Sequence, residues 1–202
     1  RIFDAINGAM AKALPSRAMG AFSHWSNPNI GGIDDRTGRP FVAYDVILGG
    51  YGGRADCDGA EGMSPVMNCS NIPVEVHEAN NPIRVKQMTF IPDSGGGGKH
   101  RGGCGLRKDI ELLNSSATLS LLGDRHKFAP YGIFGGEEGV KGETILNPHL
   151  NAEPLGSKEI RELKKGDVVS IRLSGAGGYG DRSERAPAAI DADLADGYIT
   201  KK

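Results

Sequence analysis

The 202 residues carry 24 Lys and Arg against 25 Asp and Glu, a formal net charge of −1, which leaves no basic field for nucleic acid or an anionic membrane. Apolar residues make up 38 %, enough for an ordinary core in one domain, and no apolar run is long enough to span a bilayer. The three cysteines, Cys57, Cys69 and Cys104, have no CxxC spacing, which argues against a disulfide frame or structural zinc and for reduced thiols in a cytoplasmic protein.

In chain order, Ile2, Phe3, Ile6, Ala9, Met10, Ala13 and Leu14 recur at helical spacing and Pro15 closes the stretch, predicting an amphipathic helix docked on the rest. Residues 16–40 are polar and punctuated by Gly and Pro, and read as loop with one short strand over 21–24. Trp25 is expected in core or interface packing. Phe41 to Leu48 (FVAYDVIL) reads as one continuous buried strand. After a glycine and acid loop, Ser70 or Asn71 caps a short helix with Pro73 in its first turn. His77 on that helix is expected to be solvated.

Strands are predicted at 83–91, 106–113, 117–122, 160–163 and 168–173, with a short hairpin from 143–146 and 151–155 and a C-terminal helix at 186–194. The fold class expected is therefore α+β, strand-rich with glycine-rich loops and a short helix near each end.

The chain is organised around Asp93 to Arg107, DSGGGGKHRGGCGLR. Glycine reaches conformations and close approaches denied to other residues, and the interleaved Lys99, His100, Arg101 and Arg107 favour an anionic partner. The bland alternative is a flexible surface loop. Because predicted strands hold both ends, ordering costs less than for a free linker. Arginine's planar fork suits bidentate contact with an oxyanion, so Arg101 and Arg107 are expected to meet a substrate phosphate or carboxylate.

Two phosphate-loop patterns fail. A P-loop at Gly98-Lys99 needs a glycine where Asp93 stands and Ser or Thr where His100 stands. Gly175 to Gly180 matches GxGxxG, but neither a helix at its third glycine nor a following parallel strand fits before the chain ends. Asp124-Arg125-His126 follows an apolar strand. Asp124 could orient a neighbouring imidazole for base chemistry, which makes Asp124 and His126 the catalytic candidates; a salt-bridged surface turn is the competing reading.

Several stretches in order resemble the B-type component of the ATP-dependent hydantoinase and 5-oxoprolinase family, which includes acetone and acetophenone carboxylases. They are Asp35-Arg-Thr-Gly38 with Arg39-Pro-Phe41, Gly49 to Gly53, Asp58-Gly59, Asn68 through Asn71 to Glu75, Asp93 to Gly96, Arg101 to Arg107, Asp124-Arg125, Gly135-Gly136 and Ser174 to Asp181. Arg182 stands where the family often has Pro.

The resemblance implies that the chain is the C-terminal portion of a longer subunit. It also implies a hetero-oligomer in which a hydantoinase A-like partner binds ATP and phosphorylates the substrate carbonyl oxygen. The substrate would be a cyclic amide to be hydrolysed or, alternatively, a ketone to be carboxylated. A divalent metal is expected outside these residues. Matched motif positions make Asn71, Glu75, Asp93, Ser94, Gly95, Arg101, Arg107 and Arg125 the expected substrate-binding set. A reading of another class is a non-catalytic interaction module whose glycine loops are interfaces.

Overall fold

A computed structural model describes residues 2–66 and 69–201. Asn68 lies outside the described residues. The elements run α1 (Ile2–Met10), β1 (Trp25–Ile33), β2 (Pro40–Tyr44), β3 (Ile47–Leu48), α2 (Val74–Asn80), β4 (Ile83–Ile91), β5 (Gly105–Leu112), β6 (Ser116–Gly123), β7 (Glu143–Leu146), β8 (Glu153–Leu155), β9 (Lys158–Lys164), β10 (Val168–Arg172) and α3 (Pro187–Asp196). The fold is α+β and strand-rich, as the strand patterns predict.

Among the described residues every strand pairing is antiparallel, in two five-stranded sheets. The first has the order β2-β1-β6-β9 with β3 also on β1; the second runs β4-β5-β10-β7-β8. Alternation on β6 and near-continuous burial on β5 turn Leu119, Leu121, Ile110 and Leu112 inward, where they join Ile30, Leu163, Val169 and Ile171 in one core shared by both sheets. Each such side chain contributes about 1.5–3 kcal/mol on burial. The turn after β9 carries the chain from one sheet to the other, so β9 and β10 are sequence neighbours but not partners.

Residues 25–33, expected as loop, form β1, and the short strand expected at 21–24 is absent. Pro28, Gly31 and Gly32 carry the loop signal in this stretch. Pro28 lies between the stretch of β1 paired with β3, at residues 25–26, and the stretch paired with β2, at residues 29–33. Its missing N–H therefore disrupts no ladder on that side. The single strand expected over 41–48 is broken into β2 and β3 at Asp45, a buried carboxylate, and β2 alternates, with Val42 and Tyr44 exposed.

Helix α1 docks through polar side chains. Asp4 is buried, Asn7 bonds both backbone groups of Met19, and Ile2, Ile6 and Met10 face outward. Pro73, not Ser70 or Asn71, occupies the cap position of α2, without a side-chain cap bond. His77 is buried, its Nε2 3.3 Å from Asp45, because α2 covers the gap at which Lys108 also meets Asp45 at 2.6 Å.

Five glycine-bearing stretches, around residues 20–23, 49–60, 94–105, 130–142 and 174–180, pack backbone against backbone at one end of the sheets. Gly20 donates to Gly53 O, Gly53 to Gly177 O, and Gly177 to Ala21 O, at 2.8–2.9 Å. Gly96 donates to Ala176 O and Ala176 to Gly103 O over similar distances. The central loop is thus ordered, not a flexible surface loop. A Cβ on Gly52 would lie 1.8 Å from Gly20 O, and one on Gly175 1.8 Å from Ser94 O.

Gly175→Ala is expected to lower the unfolding free energy by about 2–4 kcal/mol, because two backbones must separate. Gly156→Ala, where the nearest atom is the end of the Glu159 side chain at 3.2 Å, should change it by no more than about 0.5 kcal/mol. Chemical denaturation of both variants checks this; equal midpoints would remove the packing argument.

Candidate functional site

The central loop is clamped at Arg101. Its backbone N–H donates to Asp58 at 2.7 Å, its Nε to Asp193 of α3 at 2.8 Å, and its Nη1 to Glu61 at 2.6 Å. The guanidinium also lies over the Tyr198 ring, 4.4 Å from its centre. Arg185 continues the network with two bonds to Asp58, at 2.7 and 2.9 Å, and one to Asp193.

Burial pushes the Glu61 carboxyl up, with Arg101 pulling against it. Burial pushes Asp58 the same way, but hydrogen bonding and charge from Arg185 win and hold it below the usual carboxylate range. Arg101 itself is held above its ordinary value, since its two carboxylates outweigh desolvation. The Arg101 fork, expected to meet a substrate anion, is thus occupied by carboxylates of its own chain.

Beside this network lies a cavity of about 250 Å³. Asp93, Gly95 and Arg101 of the expected set meet there, with Glu137, Arg182 and the apolar Ile190. Asp93 also receives a hydrogen bond from the Thr200 N–H. The C-terminal stretch therefore closes over the loop.

A second constellation forms where β6 ends. The ring of His24 is 1 % exposed, stacks on Phe22 at 4.1 Å, and sits at φ +67, a conformation uncommon for a residue with a side chain. Its Nε2 lies 2.7 Å from Asp4 Oδ2 and its Nδ1 3.2 Å from Asp124 Oδ2. Arg125, also buried, donates to Asp4 and, at 3.2 Å, to Phe22 O. The competing reading of 124–126 as a surface turn does not hold for Arg125, which is drawn inside by Asp4.

His126 packs over Gly123, and burial holds its imidazole below the usual range, opposed by Asp124 and Glu143. Burial thus favours the neutral imidazole, the form a general base needs.

The other expected residues lie elsewhere. Asn71 bonds the Leu48 backbone and Gly62 O. Ser94 accepts from the Gly105 N–H at 2.8 Å inside the hub. Arg107 pairs with Asp109 on β5, and Glu75 is exposed on α2. His24, Asp4, Glu61 and Asp193 escape sequence reasoning because their partners stand 20 to 92 residues away. Burial pushes the Cys104 thiol up to about 11, so it stays protonated and unreactive. Among the described residues no three His, Cys, Asp or Glu side chains converge to hold a metal ion. Asp4 and Asp124 face different nitrogens of the His24 ring.

The profile of the hydantoinase B/oxoprolinase family matches residues 1–182, and the chain belongs to that family. It is 37 % identical over its whole length to an uncharacterised protein of Methanocaldococcus jannaschii, covering 35 % of that protein. It is 30 % identical, again over its whole length, to the B-type component of a putative D-/L-hydantoinase of Pseudomonas sp., covering 34 % of it.

The crystal structure of the ATP-dependent caprolactamase from Pseudomonas jessenii superposes over 95 % of this chain and 35 % of its own, with TM-score 0.84 and 25 % identity. A nucleotide-free acetone carboxylase shares the fold, over 90 % of this chain and 29 % of its own, with TM-score 0.69 at 19 % identity. The chain thus spans about a third of the length of these two curated relatives.

Arg101→Lys should lower the unfolding free energy by about 1–3 kcal/mol, since an ammonium cannot reproduce the fork. Arg101→Met should cost about 3–5 kcal/mol by stranding the buried Glu61 carboxylate, while Asp193 keeps Arg185. Calorimetric unfolding of both variants decides.

A histidine depressed in the folded state contributes stability above the ordinary imidazole range. That stability is lost as pH falls through the window down to the lowered value. His126 should therefore titrate below that ordinary range by NMR, and His126→Gln should flatten the stability profile across the same window.

Proposed function

We propose that this chain is the C-terminal portion of a B-type subunit in an ATP-dependent amidohydrolase that opens a cyclic amide. The observation that carries the reading is the likeness, over 95 % of the chain, to the ATP-dependent caprolactamase, supported by the match of this whole chain to 34 % of a B-type hydantoinase component. Phosphorylating the carbonyl oxygen activates the acyl carbon. One water adds there as the C–N bond breaks and nitrogen takes up the proton, and a second water hydrolyses the resulting acyl phosphate, releasing inorganic phosphate. A hydantoinase A-like partner that binds ATP would therefore prepare the carbonyl, and this chain would act on the activated species in a hetero-oligomer.

Within the chain, we assign proton transfer to His126. Its neutral imidazole can accept a proton, and the Asp124 carboxylate beside it stabilises the imidazolium that forms. Arg101 acts as a positioning residue. By holding Asp58, Glu61 and Asp193 it fixes the glycine loop whose Asp93 and Gly95 border the cavity.

The ketone carboxylase reading rests on fold likeness alone, and assay of the assembled enzyme separates the two. ATP hydrolysis stimulated by hydantoins, 5-oxoproline or a lactam without bicarbonate is the expected result. Stimulation by ketones that requires bicarbonate favours the carboxylase. Partner binding with no substrate-stimulated turnover favours an interaction module and removes the proposal. In the active enzyme, His126→Ala should lower kcat by about 100-fold or more with little change in KM.

A further inference from the structure

Helix α3 is fastened to the rest of the molecule by charge. Among its ten residues only Asp193 is buried, and its carboxylate accepts from Arg101 Nε at 2.8 Å and from Arg185 Nη2. Ile190 is exposed and Leu194 half-buried, so the helix withdraws little apolar area from water. A helix this short is marginal by itself, and the two arginines hold it down. Beyond it, Tyr198 lies over Arg101 and against Phe90, its carbonyl accepts the Asp93 N–H at 2.9 Å, and the Thr200 N–H returns to Asp93. The cavity of about 250 Å³ lies between this strap and the hub. Gly95, Gly97 and Gly98 line it on the loop side, and Ile190, Asp193 and Ile199 on the strap side.

The charges are arranged so that the strap can leave. Two guanidinium groups share three carboxylates, Asp58, Glu61 and Asp193. When α3 lifts, Asp193 passes into water, Arg101 keeps Glu61, and Arg185 keeps both bonds to Asp58. Neither arginine is left buried without a carboxylate, and a stranded charge is the main cost of breaking a buried pair.

We propose that α3 and the stretch to Thr200 form a latched lid over the cavity. Asp193 is the latch: its release from Arg101 and Arg185 lifts the lid and uncovers the loop face at Gly95, Gly97 and Gly98. The inference goes beyond the amidohydrolase reading and does not rest on it.

Cys104 reports the opening. Its Sγ lies 3.6 Å from the Tyr198 carbonyl oxygen, the residue is 1 % exposed, and burial is the largest cause holding its thiol up at about 11. Lifting Tyr198 admits water and returns the thiol toward its ordinary range. Cys69 is exposed and serves as the internal control. Labelling of the folded 202-residue chain with N-ethylmaleimide, read by peptide mass spectrometry, follows the open population when reclosing outpaces the reaction.

Asp193→Asn removes the charge of the latch and keeps its shape. It should speed Cys104 labelling at least about tenfold, the factor expected for one charge-assisted hydrogen bond, with Cys69 unchanged. Asp191→Asn makes the same charge change at an exposed position of α3 and should leave Cys104 at the wild-type rate. In Asp193→Asn, labelling should be nearly insensitive to low urea, because lifting the lid exposes little surface, whereas amide exchange of β5 rises steeply. An unchanged rate in Asp193→Asn, an equal rise in Asp191→Asn, or labelling that follows urea as steeply as β5 exchange would overturn the lid.

Discussion

The constraint on which the structure depends is the approach of backbone to backbone in the glycine hub. Peptide groups from five separated stretches bond to one another where no Cβ fits, as at Gly52 against Gly20 and Gly175 against Ser94. Glycine loses more entropy than any other residue on ordering. Here the cost is offset by backbone hydrogen bonds made in a water-poor interior and by the sheets that fix the loop ends. The hub converts what composition suggests is a flexible chain into a rigid platform.

That platform sets the positions of the charged groups. The central loop presents the Arg101 backbone to Asp58 and its side chain to Glu61 and Asp193, joining three distant stretches by charge-assisted bonds. At the end of β6 a similar arrangement holds. His24, strained in φ, stands between Asp4 and Asp124, while Arg125 neutralises Asp4 from another side. At Asp58 burial opposes ionisation and Arg185, from far along the chain, outweighs it.

Much of the scaffold is legible in the sequence. Alternation and β-branched residues mark β4, β6 and the β7–β8 hairpin, because half-buried strands impose that pattern. Strand β1 is not legible: Pro28 and two glycines signal loop, and only the gap between β2 and β3 makes the proline acceptable. Asp45 likewise hides the break in 41–48. The site is legible in part. The motifs single out Arg101, Asp124 and Arg125, but not what they touch, since ion pairs between residues 40 or 92 apart leave no local periodicity. The family resemblance supplies the division of labour that no spacing in the chain could.

The central claim, that the glycine loops are one ordered unit with the sheets, is tested most directly by native-state hydrogen exchange. The account predicts that the amides of Gly96, Gly103, Ala176 and Gly177 exchange only on global unfolding, as slowly as those of β5 and β6. Exchange of those amides at the rate of an exposed turn such as residues 35–38 would contradict it.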